Sequence, residues 1–84
     1  PGVSGWEVVT ASVQVGINSA ETANATCPGT KHVLGGGYSA PGDIDVHFSF
    51  PIGTNIWSVT GNRPVISLPG PPTLTAFAIC ANTN

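Results

Sequence analysis

One short segment of the chain carries the side chains best suited to binding a metal ion. Asp43, Asp45 and His47 alternate along the sequence, and alternate residues of a β-strand point to the same face of a sheet. Carboxylate and imidazole groups are ordinary metal ligands. Calcium and zinc sites, however, usually recruit more ligands at sharper spacing. The row is more typical of the solvent-facing side of a strand, so we predict no metal site and no cofactor.

The other titratable side chains form no catalytic motif that we recognise. Glu7 and Glu21 could serve as the two carboxylates of a glycosidase, but nothing in their sequence context marks either as an acid or a base. A serine nucleophile needs a base and an orienting acid, and neither His32 nor His47 lies in a motif with serine. We therefore predict that the protein is not an enzyme and has no catalytic residues.

The composition narrows the range of partners. Charged residues make up 7% of the chain, against roughly 25% in ordinary soluble domains. Lys31 and Arg63 are its only cations, which is too few for a patch that binds nucleic acid or anionic lipid. No apolar run approaches the roughly 18 residues of a membrane helix. We predict no nucleic-acid partner and no membrane insertion, whereas the net charge of −2 lets copies approach one another in a homo-oligomer or polymer.

The two cysteines, Cys27 and Cys80, permit a single internal disulfide. A lone pair in a small chain of this polarity is typical of a disulfide formed outside the cytoplasm, and two buried thiols are the alternative. If it forms, the bond closes a loop worth roughly 4 kcal/mol on the chain-entropy estimate. The chain starts at Pro1 and shows no basic-then-apolar leader, which we interpret as a processed or excised piece. We expect it to be extracellular or on the cell surface.

The pattern of apolar residues predicts strands and no helix. Alternating segments are separated by glycine-, proline- and asparagine-containing turns about every 8 to 12 residues. The predicted strands cover residues 6–15, 22–27, 31–38, 44–50, 55–60, 65–68 and 73–81. Eighty-four residues make one small domain. The predicted fold is all-β, a small disulfide-stapled β-sandwich or barrel of about seven short strands.

Three expectations concern the interior of this fold. The strand over 73–81 is apolar on both faces, which predicts a central position in its sheet. Trp57 is expected in the core, because large aromatic side chains dominate small cores. The buried face of the fourth strand is predicted to carry Ile44, Val46, Phe48 and Phe50, opposite Asp45, His47 and Ser49.

Three motifs between residues 27 and 81 resemble a module of secreted and surface-exposed bacterial proteins. They are Cys27-Pro28-Gly29-Thr30-Lys31-His32-Val33-Leu34-Gly35-Gly36-Gly37, Trp57-Ser58-Val59 with Asn62, and Leu74-Thr75-Ala76-Phe77-Ala78-Ile79-Cys80-Ala81. The module's signature is Cys-Pro-x-x-Lys-x-Val-x-Gly-Gly-Gly with a closing Phe/Tyr-Ala-Val/Ile-Cys strand. The match covers residues 27–81 and departs at Thr30, where the module usually has glycine. The resemblance implies an extracellular β module with a Cys27–Cys80 bridge and supplies no catalytic residues.

The N-terminal segment lies outside this pattern. We divide the chain into residues 1–21, a leader with an extra strand, and residues 22–84, the β-sandwich module. The extra strand either pairs within its own sheet or is donated to an open edge of a neighbouring subunit, where main-chain hydrogen bonds give affinity. The candidate subunit contacts are Trp6, Val9, Ala11, Val13 and Val15.

The shortage of charge also bears on function. Natural β proteins protect edge strands with lysine, inward-pointing charges or proline, and two cations serve all the predicted strands. We therefore expect an extracellular structural subunit that self-assembles into a surface filament or fibre through β-edge contacts. The alternative is a carbohydrate-binding or adhesion module for a surface glycan, with Trp6 and Tyr38 stacking on sugar rings. Asn24 begins an Asn-Ala-Thr glycosylation sequon.

Overall fold

A computed structural model describes residues 3–16, 19–42, 44–63 and 72–83. It contains six strands, β1 (Val3–Gln14), β2 (Ala20–Thr26), β3 (His32–Ser39), β4 (Asp45–Ile52), β5 (Ile56–Asn62) and β6 (Thr73–Thr83). They form two antiparallel sheets, sheet A in the order β1-β6-β3 and sheet B in the order β2-β5-β4. The all-β fold is confirmed as a sandwich, and the described residues include no helix. The predicted strand over 65–68 lies outside the described residues.

The two sheets pack face to face, so that β1 lies opposite β2, β6 opposite β5, and β3 opposite β4. Small side chains fill much of the space between them, which lets the sheets approach closely. The buried core consists of Val15, Ala23, Ala25, Cys27, Ile44, Val59, Leu74, Ala76, Ala78 and Cys80. As predicted, β6 is the central strand of its sheet.

The disulfide joins the two sheets across this core. Cys27 follows the end of β2, and its Cα atom lies 5.5 Å from that of Cys80 in β6. The bond links residues that are 53 positions apart in the sequence. The predicted Cys27–Cys80 pairing is therefore confirmed, including its attachment to a central strand.

A β-bulge in β4 overturns one prediction about the interior. Val46 pairs with Gly61 and packs against the core, but the next paired residue, Phe48, faces Thr60. The extra residue, His47, shifts the pleat, so the side chains that follow exchange faces. Phe48 and Phe50 consequently lie on the outer face of sheet B, with exposed fractions of 60% and 46%. The prediction that these two phenylalanines are buried is wrong.

Because of the same bulge, Ser49 faces the interior, whereas the alternation pattern had placed it on the opposite face. It pairs with the buried Val59, so its side chain points inward, where its hydroxyl accepts a hydrogen bond from Trp57 Nε1 at 3.0 Å. The Trp57 ring packs against the core cluster and is half-buried. Trp57 is thus an interior side chain, as the sequence predicted.

Candidate functional site

Two members of the candidate metal row, Asp45 and His47, lie beside Asn62. Asp45 is the cross-strand partner of Asn62, His47 Nε2 is hydrogen-bonded to the Asn62 side-chain amide, and both residues are exposed. Asp43 lies outside the described residues. Among the residues that the structure describes, no three His, Cys, Asp or Glu side chains cluster closely enough to hold a metal ion.

Glu7 and Glu21 are placed far apart. Glu7 stands opposite Cys80 in the register, whereas Glu21 lies near the start of β2, six residues before the bonded Cys27. At about 3.3 Å per residue this separation is about 20 Å, well beyond the roughly 5 to 9.5 Å between the carboxylates of glycosidases. The Glu7 carboxylate instead forms an ion pair with Lys31, at 2.9 Å from Nζ to Oε2.

Trp6 and Tyr38 are both exposed, with fractions of 70% and 50%. They lie on the two edge strands of sheet A, with β6 between them. Trp6 lies in the β1 bulge, between the residues that pair with Cys80 and Asn82, whereas Tyr38 pairs with Ala76. Five residues along β6 and two strand spacings put them about 19 Å apart. One sugar ring therefore cannot contact both.

The apolar side of β1 belongs to the interior of its own sandwich. β1 pairs with β6 from Val3 opposite Thr83 to Gln14 opposite Thr73. Four of the five candidate subunit contacts pack in or against the core, namely Val9, Ala11, Val13 and Val15. Trp6 is the one that remains on the surface. In this arrangement the strand completes sheet A, and its inner face offers nothing to a second subunit.

The outer face of sheet B has a feature that the sequence analysis missed. Its cross-strand rows are Ala20–Asn62–Asp45, Thr22–Thr60–Phe48, Asn24–Ser58–Phe50 and Thr26–Ile56–Ile52. Asp45, in the end row at the start of β4, is the only charged side chain in these four described rows. Along the edge strand β4 the exposed side chains of Phe48, Phe50 and Ile52 form a row that we call the ridge. The two phenylalanine rings meet edge to face, with their centroids 6.3 Å apart.

The outer face of sheet A has three complete rows, Val8–Ile79–Gly35, Thr10–Phe77–Gly37 and Ser12–Thr75–Ser39. None of these nine side chains is charged. Ile79 and Phe77, the middle residues of the first two rows, are flanked on β3 by Gly35 and Gly37, which have no side chain. The β3 side of this face is therefore lower than its centre, and we call the positions of Gly35 and Gly37 the ledge.

Apart from Asp45, the charged residues of the described chain lie away from these rows. Glu7 and Lys31 pair beside the disulfide, and Arg63 is 3% exposed. Glu21 is the second residue of β2, and Asp45 is the first residue of β4. The central rows of both outer faces are thus without charge, and Asp45 lies at one end of the outer face of sheet B. The sequence signal for the ridge would have been a bulge at His47, which alternation alone does not reveal.

No family model matches the sequence, and comparisons with curated proteins and with solved structures also found no match. No helix in the described ranges is long and apolar enough to cross a membrane.

Proposed function

We propose that this chain is an extracellular structural subunit that associates with further copies of itself to build a surface filament or fibre. The observation that carries the proposal is that the described outer rows of the two sheets contain a single charged side chain, Asp45 in the end row of sheet B, together with the exposed apolar ridge. Ordinary soluble domains intersperse charges of both signs over such surfaces. A surface without them is suited to being covered by another protein surface.

The edge strands support the same function. β3 forms one edge of sheet A and has a bulge at Leu34, but it contains no lysine, proline or carboxylate from His32 to Ser39. These are the residues that usually keep an edge strand from pairing with another chain. β4, the facing edge of sheet B, has a bulge and Pro51 but also carries the exposed ridge. Contacts between copies are therefore expected on the side of the sandwich formed by β3 and β4.

The proposed location rests on the disulfide. Bonds of this kind persist in oxidising compartments and are rare in the cytosol. The Cys27–Cys80 bond crosses the core and is compatible with a protein that works outside the cell.

A second candidate function, glycan binding or adhesion, is favoured by Trp6. Its indole ring is 70% exposed, and an exposed aromatic ring is a suitable surface for stacking on a sugar. The site would consist of Trp6 without Tyr38, given the distance between them. Binding of a glycan by the monomer, lost in Trp6→Ala, would favour this function over self-association.

Sedimentation velocity of the 84-residue chain tests the main proposal. We expect species larger than the monomer to appear as the concentration rises from micromolar to millimolar, and negative-stain images of the concentrated protein to show filaments. A single species of monomer mass over the whole range would contradict the proposal.

A further inference from the structure

The three consecutive glycines of β3 are not equivalent. Gly36 faces the interior opposite Ala78, and a Cβ atom there would overlap the Trp57 ring and the Phe77 carbonyl oxygen. A Cβ at Gly35 or at Gly37 would meet nothing within 4 Å. Neither flanking glycine has a positive φ. Of these three positions, the space inside the folded monomer therefore requires glycine only at Gly36.

Glycine inside a strand is unfavourable, because it loses more conformational freedom on folding than other residues. Inside a strand it often marks a bulge or a place where another group approaches the backbone closely. Gly35 directly follows a bulge at Leu34, whereas Gly37 pairs regularly with Phe77 and lies away from that bulge. Both glycines belong to the outer face of sheet A, so a group that approaches them closely lies outside the monomer, above the ledge.

The ridge of a second copy matches the ledge in position along the strands. Trp57 contacts Gly36 across the sandwich and pairs with Pro51 in β4. Pro51 and Gly36 therefore lie level with each other along the strand direction. The Val33 amide donates a hydrogen bond of 2.7 Å to the carbonyl of Thr54, in the turn after β4. The two pairs, Val33 with Thr54 and Gly36 with Pro51, show together that β3 and β4 run in opposite directions. Phe50 and Ile52, the neighbours of Pro51, accordingly lie level with Gly37 and Gly35 along the strands.

The ridge also matches the ledge laterally. β3 lies opposite β5 and β4 within one sandwich, so the ledge and the ridge occupy the same side of the molecule on opposite outer faces. A copy displaced along the sheet normal brings its β4 over the β3 side of the first copy. The second copy must also rotate slightly, by the angle that the strands of two packed sheets make with each other.

From this match we propose that sheet B of one copy docks on sheet A of the next, with the ridge residues Phe50 and Ile52 seated over Gly37 and Gly35. The inference rests on the proposed function and names its interface. The contact is head-to-tail, so its repetition does not close and produces a filament.

The chemistry of the two faces suits this docking. The rows that contain the ridge and the ledge carry no charge that would have to be desolvated, and Asp45 lies in the end row beyond Phe48. Several of the hydroxyl groups already have partners within their own sheet, since Ser12 bonds Thr75 at 3.0 Å and Thr22 bonds Thr60 at 2.8 Å. Polar groups that keep a hydrogen bond are covered at little free-energy cost.

The area of the contact is modest. Three strands of about eight residues cover about 26 Å by 14 Å, or about 360 Å², against about 800 Å² per partner in stable complexes. A single contact between two copies is therefore weak. Because each added copy makes one such contact, assembly should grow gradually with concentration, and the test belongs at high concentration.

Two variants and their mixture test the interface. Gly37→Arg obstructs the ledge, and the open space at this position lets the monomer fold unchanged. Phe50→Ser removes the centre of the ridge. We expect each variant alone to stay monomeric by sedimentation velocity at concentrations where the original chain assembles. An equimolar mixture should form dimers and nothing longer. In each dimer the intact ridge of the Gly37→Arg variant contacts the intact ledge of the Phe50→Ser variant, and the ridge and ledge that stay free are the altered ones.

Thr30→Arg is the matched control, since it adds the same charge at an exposed turn away from both faces. It should assemble like the original chain, and an intact disulfide with an unchanged circular-dichroism spectrum verifies folding in every variant. If the original chain is monomeric throughout, the proposed function fails and this interface with it. If it assembles and either variant assembles equally well, or the mixture stays monomeric, only the interface is overturned.

Discussion

The indole ring of Trp57 lies against the main chain of Gly36, across the interior between the two sheets. Its Nε1 donates a hydrogen bond to Ser49 Oγ at 3.0 Å. The ring thereby connects β5, β3 and β4. A side chain of this size fits only because its neighbour in β3 has no Cβ atom and the bulge at His47 turns Ser49 inward.

The first prediction concerns the glycines. Gly36→Ala should lower the free energy of unfolding by about 3 kcal/mol or more, because the methyl group overlaps both a ring and a backbone oxygen, and overpacking usually costs about 1 to 3 kcal/mol. Urea denaturation followed by tryptophan fluorescence measures the change.

Gly35→Ala and Gly37→Ala are the controls for this prediction. At both positions the added methyl group meets open space, and each change should stabilise the monomer by about 0.5 to 1 kcal/mol. Equal destabilisation by all three substitutions would show that the β3 backbone, rather than Trp57, requires the glycines.

The second prediction contrasts the two tryptophans. Trp57→Ala should destabilise the protein by about 3 to 5 kcal/mol, as deletion of a large packed aromatic side chain does. Trp6→Ala should stay within about 0.5 kcal/mol, because the Trp6 ring is largely exposed. Acrylamide should quench the fluorescence of the Trp57→Ala variant, which retains Trp6, more strongly than that of Trp6→Ala. Comparable quenching would place both rings in similar surroundings.

The third prediction concerns the disulfide. A bond that closes a loop of 53 residues should contribute about 4 kcal/mol through the unfolded chain. The double change Cys27→Ala and Cys80→Ala is expected to lower the free energy of unfolding by about this amount. Mass spectrometry of the original chain should reveal no free thiol before reduction, and two thiols that react with an alkylating reagent in the native protein would refute the bond.

The fourth prediction concerns β1. Removal of residues 1–15 should leave a chain that does not fold, because these residues supply an entire strand of sheet A, the buried Val15 and the partly buried Val9 and Val13. Full burial of one valine contributes about 1.5 to 3 kcal/mol, and a small domain has only about 5 to 15 kcal/mol in total. The amide proton signals in an NMR spectrum should collapse into the narrow range of an unfolded chain.

A folded, disulfide-bonded, monomeric remainder after that deletion would show the opposite. The strand would then be dispensable to its own sandwich and available for donation to a neighbour. Trp6→Ala in the complete chain is the companion variant, since it alters the exposed part of β1 and leaves the pairing with β6 intact.

Much of the fold could be derived from the sequence, because local patterns decide it. Period-two alternation predicts β1 and β6, and the apolar residues on both faces of β6 predict its central place. With two cysteines there is one possible disulfide. These features depend on residues a few positions apart, or on simple counting, and they need no knowledge of how the strands are arranged.

The faces of the sandwich were decided by the tertiary structure. Whether Phe48 and Phe50 point inward depends on a single extra residue at His47, and a bulge is set by the partner strand rather than by the alternation of its own. The glycines of β3 look alike in the sequence, yet Trp57, 21 positions after Gly36, occupies the space beside that residue alone. The sequence by itself determined the strands and the disulfide, while strand pairing decided which side chains each face presents, because register is a relation between distant segments.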